Sequence, residues 1–465
     1  MRKPVFAIVA LLIAPIALQA AAPKRPKDAP NILLITIDTL RADHLSTYGY
    51  SRLTSPHLDR LARQGVQFDN AYTVVPLTGP SHASIMTSLY PQQHGLQING
   101  MHMTDHPKPI TLALILRRFG YSTGAFVSAW PLKKGITGLG RGFQVYNQKF
   151  SYHYKVVNAA RTSEQVNQAA IPWLRKHHRG PFFMWVHYFD CHAPYDLHDQ
   201  YEDLPYNPAA HVAQTAGHPE ADAETTRRIQ AYDSEIAYTD HYVGALLDEL
   251  SSLKIDGKTL VIVMADHGES LGEHGYVGHG NELYQGIVHI PLIISYPGVF
   301  PEGARVSNDV SSLDVTPTVL DLLGLPVKRL PFEGHSLLPV VRKAVAEPES
   351  KAFFLTYNEP TLLPPGWMSW VWDWAESKRN PSRMGMVEGN LKTVYNEEKK
   401  LLDRFEIDPT GVHEAQLADA NPSVQDKDLR ALKEWFKRTN RGLNPESYLS
   451  QQDVEMLRSL GYVGP

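Results

Sequence analysis

The chain of 465 residues has a single cysteine. One thiol excludes an internal disulfide framework and any metal cluster built on several cysteines. A surplus of basic charge is also missing: 45 Lys+Arg stand against 49 Asp+Glu, a formal net charge of −4. That balance gives no argument for nucleic acid or an anionic membrane surface as a partner. No internal repeat or low-complexity block interrupts the first three hundred residues or so, and no apolar run is long enough to span a bilayer. What is present is globular. A content of 43% hydrophobic, 20% charged and 10% aromatic residues supplies a large core and leaves too little charge for a disordered chain. The length suits roughly two to three domain-sized units, or one large α/β domain with an appendage. The 21 histidines, together with the acidic residues, are the material for a metal site of nitrogen and oxygen ligands.

Arg2 and Lys3 precede an apolar stretch from Pro4 to Leu18, broken by Pro15, and Ala20, Ala21 and Ala22 follow. Charge, short apolar stretch and small residues in that order predict a secretory signal peptide over 1–22. A polar Pro/Lys linker over 23–30 comes next. The expectation is an exported protein, periplasmic or secreted, with no stable membrane span.

Three apolar runs each stop at an aspartate. Asn31–Ile37 ends at Asp38, Phe182–Phe189 at Asp190, and Leu260–Ala265 at Asp266. Runs apolar on both faces suit strands covered by helices on both sides. Between them Ile229, Tyr232, Ile236, Val243, Leu246, Leu247 and Leu250 fall mostly three, four or seven apart, a helical spacing. The alternation predicts an α/β fold with a central, mostly parallel sheet. Ligands in such sheets sit beyond the carboxyl ends of the strands, where these aspartates fall. A single aspartate there is commonly only a helix cap; three with histidine or threonine close by favour a shared site.

Asp266 opens a segment with His267, His274 and His279, spaced by glycines that let the backbone fold tightly. Asp190 has His187 and His192 on either side. Mixed carboxylate and imidazole ligands suit one or two divalent ions, with Zn²⁺, Mn²⁺ or Fe²⁺ favoured and Ca²⁺ possible. The nucleophile candidate is Thr78, in Thr78-Gly79-Pro80-Ser81-His82. Pro80 and Ser81 suit the first turn of a helix and put Thr78 just before it, where free N–H groups would hold an anionic oxygen. The plain alternative is that Thr78 and Ser81 only cap that helix. His44, His57, His94 and His289 are assigned structural roles.

With these residues in view, the chain resembles the sulfatase family of the alkaline phosphatase superfamily. The resemblance runs from about Pro30 to Pro339 and rests on NILLITIDTLRADHLSTYGY, TGPSHASIMTSLYPQQHG, HYFDCHAPY, ADHGESLGEH with GHG after it, and LDVTPTVLDLLGLP. It implies an α/β sandwich over 31–340 with a smaller α+β subdomain over 341–465. It also implies a metal-activated nucleophile attacking a phosphate or sulfate ester in line. By position Asp38, Asp266 and His267 match metal ligands and Thr78 the nucleophile. His192 and His279 match positions that bind ester oxygens or a second metal, which Asp190 and His274 would join.

The departures from the family pattern bear on mechanism. Sulfatases carry Cys/Ser-x-Pro-x-Arg, whose first residue is oxidised to formylglycine; here Thr78 stands first and His82 replaces the arginine. Thr39 and His267 replace a usual aspartate and asparagine, and the Gly-Lys-Trp-His segment expected near Val127–Trp130 is missing. The lone Cys191 precedes His192-Ala193 and cannot be the precursor either; it is read as a packing residue beside the site. The expected catalytic set is therefore Thr78, His82, His192 and His279. The expected metal set is Asp38, Thr78, Asp266, His267, Asp190, His192, His274 and His279. A small-molecule, glycan or lipid ester is the expected substrate, with phosphate favoured over sulfate. A sulfatase without formylglycine and a non-catalytic exported binding protein are the alternatives. Beyond Val340, LKTVYNEEKKLLDRFEIDP predicts strand, charged turn and strand, and Val424–Arg438 and Gln452–Leu460 predict helices. Tyr357, Trp367, Trp370, Trp372 and Trp374 could stack on a sugar or aryl group, or belong to the core.

Overall fold

The computed structural model describes residues 28–440 except 106–108, 151–159, 209, 211–220, 326, 328–329, 343–350, 359–379, 409, 412 and 419–421. The expected signal peptide, most of the linker, the four tryptophans Trp367–Trp374 and the helix expected over Gln452–Leu460 lie outside the described residues.

The main sheet draws on β1 (Asn31–Ile37), β2 (Val66–Tyr72), β3 (Ser122–Phe126), β4 (Val145–Asn147), β5 (Phe182–Tyr188) and β6 (Thr259–Ala265). A short hairpin of β7 (Ser270–Leu271) and β8 (Val277–Gly278) follows, then β9 (His289–Ser295) and β10 (Ala304–Ser311). The eight-stranded order is β10-β2-β9-β6-β1-β5-β3-β4. Only β9 runs antiparallel to its neighbours. The helices are α1 (Pro56–Arg63), α2 (Thr78–Thr87), α3 (Leu112–Arg118), α4 (Ser163–His177), α5 (Ala223–Ser252) and α6 (Val315–Leu322), with shorter turns between.

Every residue of β1, β5 and β6 is buried, as continuous apolar runs require of central strands. Each fully buried Leu, Ile or Val there contributes roughly 1.5–3 kcal/mol. The register pairs Ile37 with Tyr188 and with Ala265. The three strands therefore end level, and the residues after them emerge along one edge. Helix α5 extends the predicted spacing in both directions to 30 residues. Its Asp240 accepts the backbone N–H groups of His57 and Leu58, both at 2.9 Å, and so caps α1 from a neighbouring element.

The C-terminal part is an antiparallel meander of β11 (Ala352–Thr356), β12 (Arg383–Glu388), β13 (Leu391–Asn396), β14 (Leu401–Ile407) and β15 (Glu414–Gln416), followed by α7 (Pro422–Thr439). Strands β13 and β14 are the predicted pair around the charged turn. Leu355, Tyr357, Met384 and Met386 form one apolar cluster with Val74, Val75, Leu77 and Tyr90. Tyr357 is 1% exposed within it, so it is core and not a stacking platform. The backbone N–H of Leu355 donates to Val74 O at 2.9 Å. This second sheet is thus seated against the segment that leads into α2.

Candidate active site

Asp38 and Asp266 leave the ends of β1 and β6 and are wholly buried. Thr39 adopts φ 53°, left-handed backbone that a β-branched residue rarely takes. That turn lets its N–H donate to Asp266 Oδ1 at 3.3 Å while its hydroxyl donates toward Cys191 O at 2.7 Å. The Thr39 hydroxyl is thereby engaged with the backbone and offers no ligand where the family pattern has an aspartate. Gly268 passes so close to Gly286 that a Cβ would lie 2.1 Å from its carbonyl oxygen. Glycine at that position lets the chain leaving His267 pack against the backbone at Gly286, with the Gly268 N–H donating to Ile287 O at 2.8 Å.

The His267 ring donates Nδ1–H to Gly268 O at 3.0 Å. Its Nε2 is then the unprotonated, ligating nitrogen. That atom lies 3.5 Å from Asp266 Oδ2, 4.0 Å from Asp38 Oδ1 and 3.5 Å from Thr78 Oγ1. Asp38 Oδ1 and Asp266 Oδ2 have no hydrogen-bond partner. Burial raises both carboxyls above their ordinary range, Asp266 further because Asp38 is beside it. Burial likewise lowers His267. Two orphaned carboxylate oxygens, a free imidazole lone pair and a hydroxyl, separated about as ligands of one divalent ion are, fit a cation. Without one, burial opposes the ionised form of both carboxyls.

Thr78 is the first residue of α2, with Leu77 as the cap. The expectation that it precedes the helix is corrected by one turn position. Proline is tolerated in the first turn because those N–H groups have no helical acceptor; the first helical bond runs from Ser81 N to Leu77 O at 2.8 Å. Thr78 is 1% exposed.

His82, expected as a catalytic residue in place of an arginine, is not free to act as one. Its Nδ1–H donates to Thr78 O at 2.7 Å, and its Nε2 accepts the Thr36 hydroxyl at 2.9 Å. Burial lowers it well below an ordinary imidazole, so it stays neutral and braces the backbone of Thr78. His187, noted in the sequence only as an imidazole near Asp190, lies instead against Asp38. Its Nε2 meets Asp38 Oδ2 at 3.2 Å and its Nδ1 meets Ser128 Oγ at 2.7 Å. The signal was a histidine inside an otherwise apolar strand run.

His192 and His279 face each other with Nε2 atoms 3.2 Å apart. Each gives Nδ1–H to a carbonyl, Ala193 O at 2.7 Å and Pro76 O at 3.1 Å. The His279 ring lies 4.3 Å from that of His267, so the pair borders the cluster. Asp190 and His274 do not join them. Asp190 Oδ2 accepts the N–H and hydroxyl of Ser163 at 2.9 and 2.5 Å, anchoring the start of α4; burial and Glu235 push it up to about 7. His274 stacks on Tyr284 and meets Glu414 at 3.3 Å. Among the described residues the converging ligand groups are Asp38–Asp266–His267 and His82–His187–Asp266, and the rings of the second are already hydrogen-bonded. The expected second set of ligands is therefore not assembled. Cys191 is buried with its thiol 3.6 Å from Thr239 Oγ1, a packing residue. His44 pairs with Asp233, His94 with Ser84 and His289 with the Asp69 carbonyl, which are structural contacts.

The family model described as Sulfatase matches residues 30–325. An ulvan-active sulfatase of Formosa agariphila is 26% identical over 352 residues, covering 70% of this chain and 68% of that protein. A choline-sulfatase of Rhizobium meliloti is 28% identical over 372 residues, covering 67% and 71%. The structure of a phosphonate monoester hydrolase of Agrobacterium radiobacter superposes with a TM-score of 0.68 at 22% identity, over 88% of this chain and 96% of that one.

Proposed function

This chain belongs to the sulfatase family, and from that membership we propose an exported, metal-dependent ester hydrolase in which Thr78 attacks phosphate esters in preference to sulfate esters. Membership in a family of ester hydrolases displaces the alternative of a binding protein. The observation that carries the reading is Thr78 Oγ1, buried at the head of α2 and 3.5 Å from the unprotonated Nε2 of His267. Asp38, Asp266, His267 and Thr78 would hold the ion. Bound there, it would lower the pKa of the threonine hydroxyl and screen the anionic ester. The mixed nitrogen and oxygen donors favour Zn²⁺, Mn²⁺ or Fe²⁺ over Ca²⁺.

The chain's own groups then divide the work. Thr78 Oγ, its hydroxyl proton given up to solvent, forms a bond to phosphorus (or sulfur) as the bond to the departing alcohol oxygen breaks in line. His82 holds the Thr78 carbonyl and with it the first turn of α2. The Nε2 atoms of His192 and His279, 3.2 Å apart, are the groups at hand to hydrogen-bond the departing oxygen and pass it a proton. Water then cleaves the covalent threonine ester, or an alcohol accepts the group. Preference for phosphate rests on Thr78 standing where formylglycine is formed in sulfatases. Sulfate esters are the second reading, favoured by relatives named ulvan-active sulfatase and choline-sulfatase. Export rests on the N-terminal pattern of Arg2, Lys3 and the apolar stretch after them.

The test is a panel of 4-nitrophenyl sulfate, phosphate, phosphonate and bis-phosphodiester, assayed after chelation and with single metals restored. Phosphate or phosphodiester turnover above sulfate supports the first reading; the reverse order supports the second. Thr78→Ala is expected to lose at least ~10³-fold in turnover while still binding metal. Full metal-dependent turnover by that variant would overturn the mechanism.

A further inference from the structure

Resting on the reading of His279 as the residue beside the departing oxygen, we infer that the end of β11 in the C-terminal sheet is its positioning element, with Thr356 setting His279 against Thr78.

The segment after His279 is gripped almost residue by residue from that sheet. The buried Thr356 hydroxyl donates to Gly280 O. Arg383 donates to Asn281 O at 2.6 Å and to Glu282 Oε1 at 2.5 Å. Lys392, 0% exposed, donates to Leu283 O at 3.0 Å and pairs with Glu414. Glu414 in turn accepts Gln285 N–H at 3.1 Å, and Gln285 Nε2 donates to Gly411 O at 2.9 Å. Gly280, Asn281, Glu282, Leu283 and Gln285 thus draw their partners from the C-terminal sheet and its β14–β15 turn, a unit that begins at Ala352. A buried lysine–glutamate pair costs desolvation and is weak evidence for stability; here its side chains bond the loop backbone at Leu283 O and Gln285 N–H.

The loop has a second anchor upstream. Arg41 holds Glu269 O at 3.0 Å and Glu273 Oε1 at 2.6 Å, and Tyr276 OH donates to His279 O at 2.9 Å. Arg41 fixes where the loop leaves the main sheet, and the C-terminal sheet fixes where it returns.

Two adjacent residues of β11 make the connection to the nucleophile. Leu355 N–H holds Val74 O at 2.9 Å, four positions before Thr78. Thr356 holds Gly280, one position after His279. The circuit closes where His279 Nδ1–H meets Pro76 O at 3.1 Å. Gly280 has φ 96°, a conformation glycine adopts without strain but leaves freely, so the bond to its carbonyl helps to fix this turn. A misplacement of about 1 Å at a reacting group can cost on the order of 10²-fold in rate.

The experiment is a double-mutant cycle on the metal-loaded full chain, with the best substrate of the panel above. Thr356→Val removes the hydroxyl at nearly constant shape and is expected to lower kcat about tenfold with KM within about twofold. Thr356→Ser should restore kcat. In a His279→Ala background Thr356→Val should cause no further loss, because a positioning residue acts only through the group it positions. An additive loss in that background overturns the inference, as does an unchanged kcat in the single variant. Backbone amide exchange keeps the question separate from the reading of His279. Faster exchange over 280–285 in Thr356→Val and in Arg383→Gln supports the clamp even if His279→Ala leaves turnover unchanged, an outcome that removes the role of His279 alone. Unchanged exchange in both variants overturns the clamp.

Discussion

A carboxylate that binds a cation through one oxygen needs its other oxygen occupied, or it rotates and both compete for the ion. At Asp38 that occupant is His187, whose Nε2 meets Oδ2 and leaves Oδ1 unpartnered toward His267. Ser128 N–H reaches the Nδ1 of the same ring at 3.4 Å, which leaves the Nε2–H to be given to Asp38. Partners of this kind commonly carry about 10–100-fold in metal affinity. His187→Leu is therefore expected to weaken Zn²⁺ or Mn²⁺ binding by that factor in a chelator competition. His187→Gln, whose amide N–H can reach the same oxygen, should recover most of it. Equal affinity in the leucine variant and the wild type would remove His187 from the site. The same residues show what was legible at this scale. Asp38, Asp266 and His267 stand at the ends of apolar runs, where chain order alone predicts convergence. His187 and Thr36 lie inside such runs, and only strand pairing brings β5 beside β1. His82 was misread because its position in the motif indicated a substrate contact, while its acceptor Thr36 belongs to another element.

Helix α1 has no side-chain cap of its own; the hydroxyl of Ser55, which precedes it, bonds none of its N–H groups. Asp240 of α5 supplies the acceptors for His57 and Leu58. A cap of this kind contributes typically ~1 kcal/mol, at the cost of burying a carboxylate. Burial pushes Asp240 up to about 8, while an unfolded aspartate titrates near ~3.9. The folded chain thus binds this proton more tightly than the unfolded one. Below about pH 4 the group is neutral in both states; stability then falls as pH rises toward about 8 and levels off above. Asp240→Asn should flatten this slope, losing less of its urea midpoint between pH 5 and pH 9 than the wild type. Parallel pH profiles would show that Asp240 carries none of the slope. Strands and α5 were readable as elements because their periodicity is local. The capping of one helix by another was not, since His57 and Asp240 are 183 positions apart. The start of α2 was misplaced for a related reason: Pro80 marks a first turn without fixing which residue of that turn it occupies.

Across the whole molecule, the parallel sheet was legible from three strand patterns, but the seam between the two sheets was not. Val74 and Leu355 are apolar residues in unrelated segments until the fold joins them. The site lies at that seam and at the ends of β1 and β6, so its energetics act on the entire fold. Two buried carboxyls with raised pKa values oppose folding wherever both are ionised, and a bound cation offsets that repulsion. Metal that binds the folded chain alone stabilises it by about 2.7 kcal/mol at one hundred times Kd. For a chain of this length that corresponds to a rise in Tm of roughly 3 °C. Asp38→Asn with Asp266→Asn removes the repulsion and the ligands together. The doubly substituted, metal-free chain is expected to melt above the metal-free wild type and to show no rise on adding Zn²⁺ or Mn²⁺. Calorimetry of the four samples decides it: a metal-dependent rise that survives both substitutions would place the cation elsewhere, and a lower metal-free Tm in the variant would mean that the carboxyls support the fold without an ion.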